Sequence, residues 1–187
     1  MSGLLARLWY RLMRHLPLPS ENKWKGVGEL LTFASQATLE ADTFEGALHS
    51  GILDRALDQA GTRWMWRRSE WLAGSIAPAA AIADLMVYAF KTLDMPTTLR
   101  TNGSSFEAVT HRCPFVERAK TDGMTRDICE AVCSHDRSLF HGFVQGFPVP
   151  VQYQATCKMG WGDPQCVKAF RVLATPVQAH PGQRHAQ

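Results

Sequence analysis

Cys113, Cys129, Cys133, Cys157 and Cys166 are the residues of this 187-residue chain whose type and spacing best suit chemistry, and no cysteine lies outside that segment. One further group, Asp136, falls on a helical pattern with two of them. Cys129, Cys133 and Asp136 stand at i, i+4 and i+7, one stripe of a helix. Ile128, Val132 and Leu139 occupy the neighbouring stripe, so this side of the helix is expected to turn inward. Taken singly, both cysteines suit small buried hydrophobes with Asp136 at the margin. Taken with Cys113, Cys157 and Cys166, they suggest thiols converging from several elements.

Two chemistries fit such a cluster. In the first, one thiol is a nucleophile, activated by a histidine or by local positive potential and oriented by a carboxylate; His111, His135 and Asp136 are available for those roles. In the second, Cys113, Cys129, Cys133, Cys157 and Cys166 supply tetrahedral ligands to zinc, or hold an iron–sulfur cluster. Neither a Cys-x-x-Cys pair nor ferredoxin-type spacing is present, so a site without cofactor is the leading expectation. Arginines interrupt the N-terminal apolar stretch, which is not a secretory signal pattern. The thiols are therefore expected to be reduced and cytoplasmic, not paired as disulfides.

These residues need elements to position them. Residues 3–16 read as an amphipathic helix, with Leu5, Leu8, Leu12 and Leu16 on one side and Arg7, Arg11 and Arg14 on the other. It is expected to pack on the body of the protein or a second copy, with anchorage to an anionic membrane as the alternative. Helices are expected over 25–39, over 44–60 with a stop at Gly61, and over 63–93 with a break near Pro78. Trp64, Trp66 and Trp71 are expected in the core or under a pocket. Asp84, inside an apolar stretch, is expected to face solvent. After a turn at Thr101–Ser104 come a strand over 105–113, helices over 115–121 and 124–143, and strands over 149–157 and 166–173. Pro150 marks the 149–157 strand as an edge.

The fold class is thus α+β: N-terminal helices, then a small, mainly antiparallel sheet packed on helices in the order strand-helix-helix-strand-strand. The boundaries are a helix over 1–20, one domain over 21–174 and a disordered tail over 175–187. The domain divides into a helical part over 21–95 and a Cys-bearing module over 101–174.

Cys113-Pro114-Phe115, Gly123, Cys133-Ser134-His135-Asp136, Thr156 and Gly162-Asp163-Pro164-Gln165-Cys166 together resemble the L-2-amino-thiazoline-4-carboxylic acid hydrolase family. The resemblance spans about 105–172 and implies hydrolytic opening of a small cyclic amidine. By position it implies site residues Cys113, Cys133, Asp136, Asp163 and Cys166, with Asp163 fixing the turn beside the pocket. Cys129, Cys157 and the inserted-looking Met159-Gly160-Trp161 depart from the pattern. The last hairpin is also similar to vinyl-reductase-type small-molecule-binding domains, which can hold zinc through cysteines and a glutamate; Gln154 stands at the glutamate's place.

The formal charge of +3 resides in Arg7, Arg11 and Arg14, beyond which bases and acids balance. The basic footprint of a nucleic-acid binder is missing. The leading expectation is a hydrolase of a C–N or C=N bond in a small heterocycle or amide, with Cys133 the nucleophile and Cys113 its competitor. Asp136 with His135 or His111 would manage protons. The alternative is a non-enzymatic small-molecule- or metal-binding sensor, carrier or accessory subunit. A homo-oligomer, a partner protein or a membrane surface is expected to engage residues 3–16.

Overall fold

The computed structural model describes residues 3–38, 51–73 and 78–173; at a few positions inside these, Cys157, Ile128 and Val132 among them, only the backbone is described. The start of the helix expected over 44–60 and the expected tail over 175–187 lie outside the described residues.

Helix α1 (Gly3–His15) buries Ala6, Tyr10 and Met13, spaced i, i+4 and i+7. It rests on α4 (Pro78–Thr92), while α2 (Ser20–Thr38) packs on α3 (Ile52–Ser69). Lys91 of α4 closes the C-terminus of α1, its ammonium donating to the carbonyls of Met13, Arg14 and Leu16 at 2.7, 2.8 and 2.6 Å. Those are carbonyls that a helix end leaves without intrahelical partners. Asp84 corrects the solvent-facing expectation. It is buried on α4 and meets Arg14 Nη1 at 3.4 Å. Burial pushes its carboxyl up, and Arg14 opposes that shift.

Helix α3 runs through Gly61 to Ser69 and does not stop there. Gly61 is a contact residue, not a cap. A Cβ at Gly61 would strike the backbone of α6 (Arg126–Gln145), and one at Gly142 or Gly146 of α6 would strike α3. Hydroxyls then hydrogen-bond across the narrow gap: Thr62 Oγ1 donates to the Gly142 carbonyl at 3.2 Å and Ser69 Oγ to that of Gly146 at 2.9 Å. The expected break near Pro78 is present, as a 3-10 turn at Glu70–Leu72 and a fresh start of α4 at Pro78. Proline fits a first helical turn because that position has no intrahelical N–H bond to lose. Trp64 is fully buried and Trp71 half-buried, but Trp66 projects outward from α3.

The sheet is antiparallel throughout, in the order β1-β2-β4-β3, with β1 Thr97–Asn102, β2 Ser105–Thr110, β3 Val151–Cys157 and β4 Cys166–Val172. The α+β class with helices ahead of the sheet holds, and β3 is an edge strand. Strand β1 was not anticipated. Most of its side chains are exposed, so it carries no apolar alternation to announce it. It pairs with β2 through a two-residue turn at Gly103-Ser104, where Gly103 adopts φ 57°. Strand β2 ends at Thr110, three residues before Cys113, which instead precedes α5 (Pro114–Thr121) in extended conformation. Pro114 enforces this, since the residue before a proline is driven out of the helical region.

Phe90 of α4, Phe140 and Phe143 of α6, and Phe106 and Phe170 of the sheet fill the space between helices and sheet. Among the described residues no helix is long and apolar enough to cross a membrane.

Candidate functional site

The site begins with parity on β4. Cys166, Lys168, Phe170 and Val172 alternate onto the face covered by the helices, and all four are buried. Across the ladder, Lys168 lies opposite Ala108 of β2 and Ala155 of β3. Those small neighbours leave room for a long side chain where the rest of the face is filled by aromatics.

Lys168 is 1% exposed. Its ammonium lies 2.9 Å from Asp136 Oδ2 and donates to Cys166 Sγ at 3.2 Å. It also sits over the Phe140 ring, 4.4 Å from the centroid. Burial alone would pull the lysine's pKa down, but Asp136, then Cys166 and Tyr153, outweigh it and hold the pKa above its ordinary value. Lys168 is therefore a buried cation at neutral pH, a state that requires a fixed anionic partner.

Around it are groups whose polar capacity is not used up. Among the described residues, Asp136 Oδ1 and the Tyr153 hydroxyl are buried without a hydrogen-bond partner. Burial pushes the Tyr153 phenol up. Cys133, one helical turn before Asp136, accepts a hydrogen bond on Sγ from the Gly160 N–H at 3.1 Å. Gly160 belongs to the 3-10 turn Met159–Trp161, and a Cβ there would collide with the Cys133 sulfur and the Cys129 carbonyl. Burial raises the Cys133 thiol, and the Gly160 N–H works against that. Cys133, Asp136, Tyr153, Cys166 and Lys168 line one cavity of about 10 Å³, with Arg137, Ala155 and Lys158 completing its wall. That is room for about one water.

The other expected residues fall as follows. Cys113 is buried at the start of α5, outside the cavity wall, and burial raises its thiol to about 11. Cys129 is buried one turn before Cys133. The Cys157 side chain is outside the described ones. His135 is turned to the α3 side of α6, its Nδ1 3.0 Å from Asp54 Oδ1, which also accepts from Ser138 Oγ at 2.7 Å. Burial raises the Asp54 carboxyl, but those two hydrogen bonds outweigh it and hold the group below its usual range. His111 is exposed in the link between β2 and α5. Asp163 accepts the Lys158 N–H at 2.7 Å and so secures the turn at Gly162. Among the described residues, no group of three or more His, Cys, Asp and Glu is arranged to hold a metal ion.

The structure thus brings Cys133, Asp136 and Cys166 together and leaves both histidines elsewhere. Sequence reasoning passed over Lys168, although its parity between Cys166 and Phe170 places a cation on an inward face. Tyr153 shares one face of β3 with Val151 and Ala155, where a phenol among apolar residues gives no sign of a site. The contact of Gly160 with Cys133 had no local signal.

No family model matches the chain, and no curated protein matches it. Among solved structures, it has a likeness to a trafficking protein particle complex subunit 3 from Naegleria fowleri, crystallised covalently bound to palmitic acid. The two are 12% identical over 83% of this chain and 97% of that one, with a TM-score of 0.45. A likeness at that level carries no argument about this chain.

Proposed function

We propose that the chain is a cysteine-centred hydrolase acting on a C–N or C=N bond of a small amidine or amide, with Cys133 as nucleophile. The observation that carries this reading is the buried Lys168–Asp136 pair beside two thiols. A core gains nothing in packing from a desolvated ion pair with an unsatisfied carboxylate oxygen next to it. Clustered buried ionisable groups of this kind are what a reaction site needs. The resemblance to the thiazoline-carboxylate hydrolases supports the same bond class.

Cys133 Sγ bonds to the amidine carbon as the ring C=N π bond opens, and its proton passes by way of Asp136 to the ring nitrogen. A second proton then moves to that nitrogen from the exocyclic amino group, which forms C=NH as the ring C–N bond breaks and the amine leaves. Water then adds across that C=NH bond, the hydroxyl collapses to C=O as the carbon–sulfur bond to Cys133 breaks, and the hydroxyl proton returns to the thiol. Because burial keeps the resting thiol protonated, proton removal must accompany bond formation, and Asp136 lies one helical turn away to take it. Lys168 offsets the negative charge that develops on the amidine group as sulfur adds to its carbon. Cys113, outside the cavity, has no part in this scheme, and neither histidine does.

Turnover of L-2-amino-thiazoline-4-carboxylate and related cyclic amidines tests the proposal. Cys133→Ala is expected to lower kcat by about a hundredfold or more, and Cys113→Ala to leave it within about threefold. Full turnover by Cys133→Ala would refute the nucleophile.

Two thiols on one cavity wall, Cys133 and Cys166, favour a second reading: a non-enzymatic sensor or carrier that opens around a small ligand, or binds zinc or an iron–sulfur cluster through its thiols. Stoichiometric metal in anaerobically purified protein would support it over the hydrolase.

A further inference from the structure

Helix α1 has three faces. Ala6, Tyr10 and Met13 lie against α4. Arg7, Arg11 and Arg14 follow one another at i, i+4 and i+7 on one flank. Leu5, Leu8 and Leu12 form the third face with Trp9 beside them and Leu16 just past the helix end, and these leucines are 58%, 55%, 52% and 42% exposed. Single exposed leucines need no explanation, but a continuous apolar stripe does.

This stripe is not the packing face of a helix caught in the wrong orientation. The helix is already seated through its other face. Lys91 holds its last carbonyls and Arg14 reaches the buried Asp84. Turning the leucines inward would break those contacts and expose Tyr10 and Met13. The helix is built to present leucine outward.

Charge decides what the stripe meets. Residues 1–20 contain three arginines and no acid. On the opposite border Trp9 lines a groove of about 410 Å³, whose walls include Lys25 and Arg67 together with the Glu29–Arg68 ion pair. An apolar stripe with cations on both borders complements a surface that is hydrocarbon in the middle and anionic at its edges. A second copy of the chain would set like charges opposite each other around a two-fold axis. An anionic bilayer would not.

We propose that α1 is a membrane-docking element that lies in the interface of an anionic bilayer, leucines inserted and arginines among the headgroups. This is independent of the reaction proposed for the Cys133 cavity.

Co-sedimentation of the full chain with vesicles tests it, using phosphatidylcholine alone and phosphatidylcholine with about one-quarter phosphatidylglycerol. The expected result is binding to the anionic vesicles that weakens about tenfold on pure phosphatidylcholine and falls with added salt. Leu8→Glu/Leu12→Glu is expected to weaken it about tenfold or more, with the melting temperature retained because both side chains are exposed. Trp9 supplies a readout that needs no destabilising change: anionic vesicles should shift tryptophan emission to the blue, and Trp9→Phe should remove most of that shift. No sedimentation with anionic vesicles, or equal binding by the Leu8→Glu/Leu12→Glu variant, would overturn the proposal. So would a dimer that this variant dissociates while vesicles fail to bind.

Discussion

Lys168 makes the sharpest statement at the residue scale. A buried cation that loses its anion, or the reverse, leaves an uncompensated charge in the core. Lys168→Met is therefore expected to destabilise the fold by about 3–5 kcal/mol, read by urea denaturation. Asp136→Leu/Lys168→Met removes both charges and is expected to recover most of that loss, since an apolar pair of similar volume is often as stable. Retained stability with lost turnover in the double variant would mark the pair as functional. If the single variant is as stable as the parent, Lys168 is not held by Asp136 as described.

The thiols titrate in a direction that can be read directly. Burial raises Cys113 from 9.0 to about 11, so the folded chain holds that proton more tightly than the unfolded one. Its contribution to stability is present in full below about pH 9 and is lost as pH rises toward 11. Alkylation by iodoacetamide at pH 8 should accordingly leave Cys113 unmodified in the native protein, with all thiols reacting in urea. Rapid native modification of Cys113 would show that it is not enclosed.

The close approach of α3 and α6 governs the scale of elements, because α6 carries Cys133 and Asp136 on one side and its glycine contacts on another. Gly142→Ala would drive a methyl group into the Asp58 backbone. It is expected to cost about 1–3 kcal/mol by denaturant unfolding, as overpacking does. An unchanged midpoint would mean that the helices part without penalty.

What the sequence disclosed about elements depended on whether a pattern was local. Strand β3 alternates clearly, and the stripe through Cys133 and Asp136 is a helical period, so these were legible. Gly61 was misread as a stop because a glycine at a helix–helix contact looks the same in sequence as one at a cap. Strand β1 was hidden because its exposed threonines, arginine and asparagine supply no apolar alternation. The candidate site was legible as a set of thiols and a carboxylate. Its cation was not read: parity with Cys166 and Phe170 aims Lys168 inward, but only the pairing of β4 between two alanines shows that it has room there. His135 stands beside Asp136 in sequence yet faces α3, since adjacent helical residues project about 100° apart.

At the scale of the whole molecule, two features divide the labour. The sheet and α6 enclose a charged, thiol-lined cavity, while α1 presents leucines on the outer surface beyond α4. The charge asymmetry read from composition falls on α1, so the excess of +3 describes a surface and not the cavity. In this account the chemistry takes place at a small cavity whose wall includes exposed Arg137 and half-buried Lys158, and the cavity must widen when a substrate enters.

The central claim is that Cys133 forms a covalent bond with substrate. Rapid acid quench of the full chain during turnover of a cyclic amidine, followed by intact mass and peptide mapping, tests it most directly. The account predicts an adduct carried by Cys133 and absent from Cys133→Ala. Turnover with no adduct on Cys133, or with the adduct on Cys113 or Cys166, would contradict it.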